Sequence, residues 1–290
     1  MAVEIGPVGI HTLSGVWESG GAEEAVAELD RLGFGALWLG AVSDLRLPAR
    51  LLAATDRLVV ATSIINVWAT PAARLAADAH RLAAAHPGRF LLGLGSSHAP
   101  DVEALGRSYA RPLQVLSRYL DDLDAAPGPV PADGRVLAAL GPRAVALAGR
   151  RSAGAHTYLV TPEHTHSARA LLGPGPLLVP EQAVVLESDP ARARALARDG
   201  ISYFLRLPNY LRNLRALGFG AEDLAGGGSD RMVDALVAWG TPEQVAQRVA
   251  QHHDAGADHV AVQVLTTDGE RPALPQWRAL APLLVRSGTG

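Results

Sequence analysis

Apolar residues along this chain fall into short unbroken runs, separated by stretches in which they recur every three to four positions. LVVATSII (58–65) and RFLLGLG (89–95) show no polar alternation, which predicts strands covered on both faces in a parallel sheet. Between them Leu75, Ala79, Leu82 and His86 repeat at helical spacing. Thr70-Pro71 is read as the N-cap and first-turn proline of that helix, and Pro87-Gly88 as its stop. The result is a strand, a crossover helix and a second strand. The same unit recurs through the chain. Strands are expected at 3–10, 36–39, 58–65, 89–95, 135–139, 155–160, 177–186 and 259–265.

The helices between them have readable ends. Ala22, Ala25, Val26, Leu29 and Leu32 form one apolar face, with Gly33 at C′. Further helices are expected at 48–55, 112–124, 142–150, 162–172 and from Asp189-Pro190 to about 205. Thr161-Pro162 and Thr241-Pro242 repeat the cap-plus-proline start, and Gln244 is placed to close a capping box onto Thr241. That helix carries Val245, Val249 and His252 and ends at Gly256, and the last one runs from Pro275 to Arg286. Residues 99–110 are read as a loop, and 125–133 as a proline-rich linker between repeating units. Pro180 suggests a bulge or a position near a strand start. Pro208 to Gly228 breaks the rhythm as an insertion: a short helix ended by glycine, then AGGGSD as a flexible hinge. Eight strands, each but the last followed by helix before the next, favour a closed (β/α)8 TIM barrel over a doubly wound sheet. Its chemistry belongs at the C-terminal strand ends.

A length of 290 residues suits one such barrel, so residues 1–290 are expected to be a single domain. Alanine, leucine and valine dominate the 48% hydrophobic fraction, and no apolar stretch approaches the roughly 18 residues of a membrane span. The N-terminus carries an acid and no basic n-region, which predicts a cytoplasmic protein. The absence of cysteine excludes disulfides, thiolate metal sites and a cysteine nucleophile. All 26 basic residues are arginine, so a lysine Schiff base is excluded as well. A net charge of −3 gives no reason to expect nucleic acid.

Candidate chemistry gathers at the strand ends. His98 follows Ser96-Ser97 where the fourth strand stops, and an imidazole there suits proton transfer to or from an alcohol or carbonyl. Its bland reading is a loop cap. His11 ends the first strand, as a second acid/base candidate or a satisfied structural histidine. Trp17 and Trp68 are substrate-pocket candidates set against ordinary core tryptophans. Gly95, Gly141 and the helix start after Pro142 would present backbone amides to a cofactor phosphate, or are merely tight turns. His164 and His166 lie two apart on a helix and share no face, and no carboxylate accompanies them, so no metal is expected. His252-His253 are read as surface and packing.

The stretches GFGALWLG (33–40), ATSIINVWATPA (61–72), HPGRFLLGLGSSH (86–98), LGPRAVALAGRRSAGAHTYLVTPEH (140–164), WGTPEQVAQRV (239–249) and AGADHVAVQVL (255–265) resemble the luciferase-like monooxygenase superfamily. More narrowly they resemble its actinobacterial branch of coenzyme F420 (deazaflavin)-dependent oxidoreductases. The resemblance covers almost the whole chain, in order. It implies a bacterial-luciferase-like barrel holding an isoalloxazine-like ring in its mouth, with hydride transferred at the central carbon of that ring. It implies ring contacts at Trp38, Gly40, Ser63, Ile64, Gly95, Ser96, Gly141 and Pro142, and a non-proline cis peptide at Ser63–Ile64 behind the ring. The Asp-His pair that some relatives carry after strand two is replaced here by Ala41-Val42, and a glutamate of some relatives at the end of strand four by His98. The proton must then come from elsewhere, with His98 and His11 as candidates. The resemblance also implies a homodimer. Three readings remain: an F420-dependent oxidoreductase acting on a small carbonyl, alcohol or activated alkene, an FMN-dependent monooxygenase fed by a reductase, and a non-catalytic cofactor-binding barrel.

Overall fold

The unbroken apolar runs do become strands buried on both faces. A computed structural model describes residues 3–18, 20–269 and 271–285. Its strands are β1 (Val8–Leu13), β2 (Ala36–Gly40), β3 (Val59–Thr62), β4 (Ile65–Asn66), β5 (Phe90–Gly95), β6 (Arg135–Ala138), β7 (Gly154–Thr157), β8 (Leu177–Val185), β9 (Val237–Trp239) and β10 (Val260–Val264). All pairings are parallel and run β1-β2-β3-β5-β6-β7-β8-β10, and β10 returns to β1 with Val8 opposite Val260. The short β4 continues β3 beyond a cis Ser63–Ile64 peptide and sets Ile65 opposite Leu94 of β5. Counted together, β3 and β4 give the eighth member of a closed barrel, the TIM-barrel architecture expected.

Period-two alternation divides the side chains between two layers. Ala36, Trp38, Val59, Ala61, Leu91, Val136, Val179 and Ala261 fill the barrel interior. Leu37, Leu39, Val60, Leu92 and Leu137 point outward into the core shared with the helices. The strand spacing is tight enough to decide one residue: a Cβ at Gly93 would overlap the Thr62 carbonyl oxygen. Thr62 Oγ1 bridges both Gly93 backbone groups, donating to its oxygen and accepting from its nitrogen at 2.8 Å each.

Cap chemistry sets most helix starts. The Thr241 hydroxyl accepts from the Gln244 amide while Gln244 Oε1 accepts from the Thr241 amide at 2.8 Å, a complete capping box. Thr161 and Asp189 cap their helices in the same sense. Thr70 does not: its hydroxyl reaches the Ser43 carbonyl, and Pro71 takes the cap position without a side-chain bond. Other expectations are corrected in detail. The first strand starts at Val8, and Ala99–Ala104 is a helix inside the expected loop. Pro180 sits in mid-strand opposite Thr157, where β8 passes from its pairing with β7 to its pairing with β10. The AGGGSD stretch is an ordered turn. Gly226, Gly227 and Gly228 all have positive φ, and Asp223 binds both Ser229 and Arg231 across them. His252 is core, bonded to Thr165 Oγ1 at 2.8 Å and Gln182 Oε1 at 2.9 Å. The last helix is Leu274–Leu284, and Arg286 lies outside the described residues. Strand β9 was not expected. It pairs with β8 through Val184, which also pairs with Val264, so β9 and β10 occupy opposite edges of β8. No helix among the described residues is long and apolar enough to cross a membrane.

Candidate active site

The C-terminal strand ends enclose a cavity of about 1370 Å³. Its inner wall comes from His11 of β1, Gly40 of β2, the Ser63-Ile64 junction, Ala138 of β6, His156 of β7 and Gln263 of β10. The segments after β5 and β6 add Ser96, His98, Gly141 and Pro142. A second wall arrives from outside the barrel, with Tyr203 and Phe204 of a turn and Tyr210 of the helix Pro208–Ala216.

Eight of the twelve residues singled out from the sequence therefore meet around one space, and four do not. Trp38 is fully buried beneath the floor, stacked on His156 with centroids 4.8 Å apart and donating Nε1–H to His259 Nε2 at 3.0 Å. Gly95 lies under the floor too, where a Cβ would press on Ile64 and Ala138. Trp17 lines a separate chamber of about 150 Å³, which shares only His11, Leu13, Gly200 and Gln263 with the large one. Trp68 stands outside the lining and donates its Nε1–H to the Ser96 carbonyl at 3.0 Å, so it shapes the wall from behind.

The floor carries a directional hydrogen-bond chain. His156 Nδ1 lies 2.9 Å from the Val179 carbonyl and must donate to it, which leaves Nε2 as an acceptor. Ser63 Oγ donates to that nitrogen at 2.8 Å and in turn accepts from His11 Nε2 at 3.0 Å. Burial is the main cause that lowers the His11 pKa to about 3, with the neighbouring His156 adding to it, and burial takes His156 to about 4. Both rings are neutral at physiological pH.

The outer wall is aromatic. Tyr158, Phe204 and Tyr210 follow one another at centroid distances of 4.8 and 5.0 Å, and His98 packs against Tyr210 at 5.7 Å. Burial among these rings lowers the His98 pKa below 6.5, partly offset by Asp101. Its Nδ1 is buried with no partner. Three of the four cavity tyrosines spend their hydroxyls on protein: Tyr109 on the Ser97 carbonyl, Tyr158 on Gln263 Oε1 and Tyr203 on Asp101 Oδ1. Behind the wall Glu181 is 1% exposed. One of its oxygens accepts from the Leu159 amide at 3.0 Å, the other has no partner, and burial pushes its pKa up to about 8. Arg111, Arg143 and Arg212 also line the cavity, and no hydrogen bond or ion pair engages their guanidinium groups among the described residues.

Sequence reasoning missed His156, Tyr158, Glu181, Tyr210 and Gln263. The available signal was an ionisable residue inside a run otherwise apolar enough for a buried strand, as in AHTYLV (155–160) and LLVPEQAVVL (177–186). A polar group placed there must be partnered or functional.

Comparison with known proteins agrees with this geometry. The sequence model of the luciferase-like monooxygenase family matches residues 18–135 and 116–259. No curated protein matches the sequence. An F420-dependent secondary alcohol dehydrogenase, solved with an F420–acetone adduct, is similar in structure with a TM-score of 0.76 at 12% identity, covering 97% of this chain and 98% of that one. The coenzyme F420-dependent tetrahydromethanopterin reductase of Methanopyrus kandleri gives 0.68 at 15% identity, with 98% and 99% covered. The oxygenating constituent of 3,6-diketocamphane monooxygenase from Pseudomonas putida, solved with FMN, gives 0.66 at 14% identity, with 99% and 98% covered. At such identities the likeness establishes the fold, and the neighbours include users of both cofactors.

Proposed function

Since the chain belongs to the luciferase-like monooxygenase family, we propose that it is an oxidoreductase that transfers hydride between a deazaflavin of the F420 type and a small, largely apolar carbonyl or alcohol. The observation that carries this reading is the cavity itself. Small-molecule sites usually measure roughly 300–1,000 Å³. At about 1370 Å³ this one has room for a tricyclic ring and a second small molecule together. When bound, such a ring accepts or releases a hydride at its central carbon.

The residues present fit that group. Backbone at Gly40, Ser63, Ile64, Ser96 and Gly141 offers a flat, weakly polar surface for a ring. The guanidinium groups of Arg111, Arg143 and Arg212 have no partner among the described residues, and Asp101, which meets Ser97 and Tyr203, is the one acidic residue in the described lining. That imbalance suits a ligand with several negative groups, such as a phosphate followed by carboxylates. His98, neutral at pH 7, takes the proton of an alcohol as it is oxidised and returns it in the reverse direction. The aromatic wall keeps water from this exchange.

Incubation with F420 and, separately, with FMN, followed by size-exclusion chromatography, tests the reading. Retention of F420 alone is expected. Retention of FMN alone would overturn it in favour of a flavin monooxygenase, and retention of neither would make the chain a barrel without this chemistry.

A further inference from the structure

We propose that Tyr210 determines which second ligand the cavity accepts: its phenol donates a hydrogen bond to the oxygen of a neutral carbonyl or alcohol held against the aromatic wall. The proposal rests on the reading above only in placing that ligand beside a ring cofactor. Its basis is the accounting of hydroxyl groups. Of the four tyrosines lining the cavity, Tyr109, Tyr158 and Tyr203 donate to protein acceptors at 2.8 to 3.1 Å. Tyr210 donates to none among the described residues, although the residue is only 6% exposed. Nor is its oxygen among the buried polar atoms sealed off without a partner, so the hydroxyl opens onto the cavity.

The surroundings define what that O–H meets. The Tyr210 ring stands 5.0 Å from Phe204 and 5.7 Å from His98, so a ligand there is flanked by aromatic rings whose polar groups are the Tyr210 hydroxyl and the His98 imidazole. Burial and the nearby Glu181 hold the phenol well above its ordinary pKa, which keeps it a donor. His98 beside it is neutral and Glu181 lies nearby, so the groups packed around the phenol do not attract an anion. The ligand selected is therefore uncharged, mostly hydrocarbon, and carries one hydrogen-bond-accepting oxygen. Tyr210 arrives on the helix Pro208–Ala216, outside the strand ends that floor the cavity, so the selecting group belongs to an element that can vary without disturbing the barrel.

Matched probe pairs test this: acetophenone against ethylbenzene, and benzyl alcohol against toluene, titrated by ligand-observed NMR into wild type, Tyr210→Phe and Phe204→Leu. In an apolar site without a donor the hydrocarbon of each pair binds the tighter, because the oxygenated molecule loses its water. Wild type is expected to prefer the oxygenated member, and Tyr210→Phe to weaken that member by about 10- to 100-fold while leaving the hydrocarbon unchanged. Phe204→Leu should weaken both members alike. No preference in wild type, or a preference that survives Tyr210→Phe, overturns the proposal. Loss of F420 retention in Tyr210→Phe also overturns it, because the hydroxyl would then serve the cofactor. If wild type itself retains no cofactor, the proposed function fails, and the probe comparison on the unloaded protein still decides the role of Tyr210.

Discussion

Glu181→Gln should remove a specific segment of the protein's pH dependence. The carboxyl lies behind the aromatic wall with one oxygen on the Leu159 amide and the other unpaired, and burial raises its pKa from 4.5 to about 8. Because the folded value is the higher one, the folded chain holds a proton that the unfolded chain has released. The stabilisation is full below about pH 4.5 and is lost as pH rises through about 8. Each pH unit between those values is worth about 1.4 kcal/mol, so the 1.5 units from pH 6.5 to 8 cost about 2 kcal/mol. Histidines act in the opposite sense at the start of this window and equally in both proteins, so they cancel in the comparison. His11, His156, His252 and His259 are lowered to between about 3 and 4, so their contribution is present above 6.5 and is lost as pH falls. The chain has no lysine and no cysteine, and the α-amino group is common to both proteins and cancels in the comparison. Urea unfolding followed by circular dichroism at pH 6.5, 7.5 and 9 should show the stability of wild type falling by about 2 kcal/mol relative to that of Glu181→Gln across the series. An identical pH dependence in both would show that Glu181 is already ionised in the folded protein.

Three other outcomes are expected. His98→Ala should lower turnover by about 10²–10⁴-fold while the dissociation constant of the cofactor changes little, as measured by fluorescence titration beside steady-state kinetics on a substrate once one is found. Gly93→Ala should fail to give a soluble folded barrel or lower the thermal midpoint by more than about 10 °C, because the new methyl meets the Thr62 carbonyl; an unchanged midpoint would refute the tight register of β3 and β5. Light scattering at micromolar concentration should report a homodimer, and a monomer would count against the pairing that family resemblance implies.

What the sequence disclosed and what it withheld follow from how far each signal reaches along the chain. Unbroken apolar runs and cap-plus-proline helix starts are local, and they placed all eight barrel strands and the capping box of Thr241 and Gln244. Thr70-Pro71 has the same local pattern, yet Pro71 takes the cap position and the Thr70 hydroxyl donates to the Ser43 carbonyl of a neighbouring loop. The site depends on such long-range meetings throughout. His11, Ser63 and His156 are separated by 52 and 93 positions and become one chain of hydrogen bonds only when the barrel closes. Strand-end position pointed to His11 and His98, and family resemblance to Ser63, all of which line the cavity, but the resemblance could not tell that Trp38 turns inward under the floor. The outer wall was the least legible part. Tyr210 lies in the insertion read only as a broken rhythm, Tyr203 and Phe204 lie at the end of what was read as a helix running to about 205, and nothing local distinguishes them from surface aromatics. Phe204 and Tyr210 pack with Leu159, which follows β7, and with Ala183 and Val185 of β8, and so form a cavity wall that the strand ends do not supply. The repeating barrel thus supplies one side of the cavity, and the irregular segment between β8 and β9 supplies another.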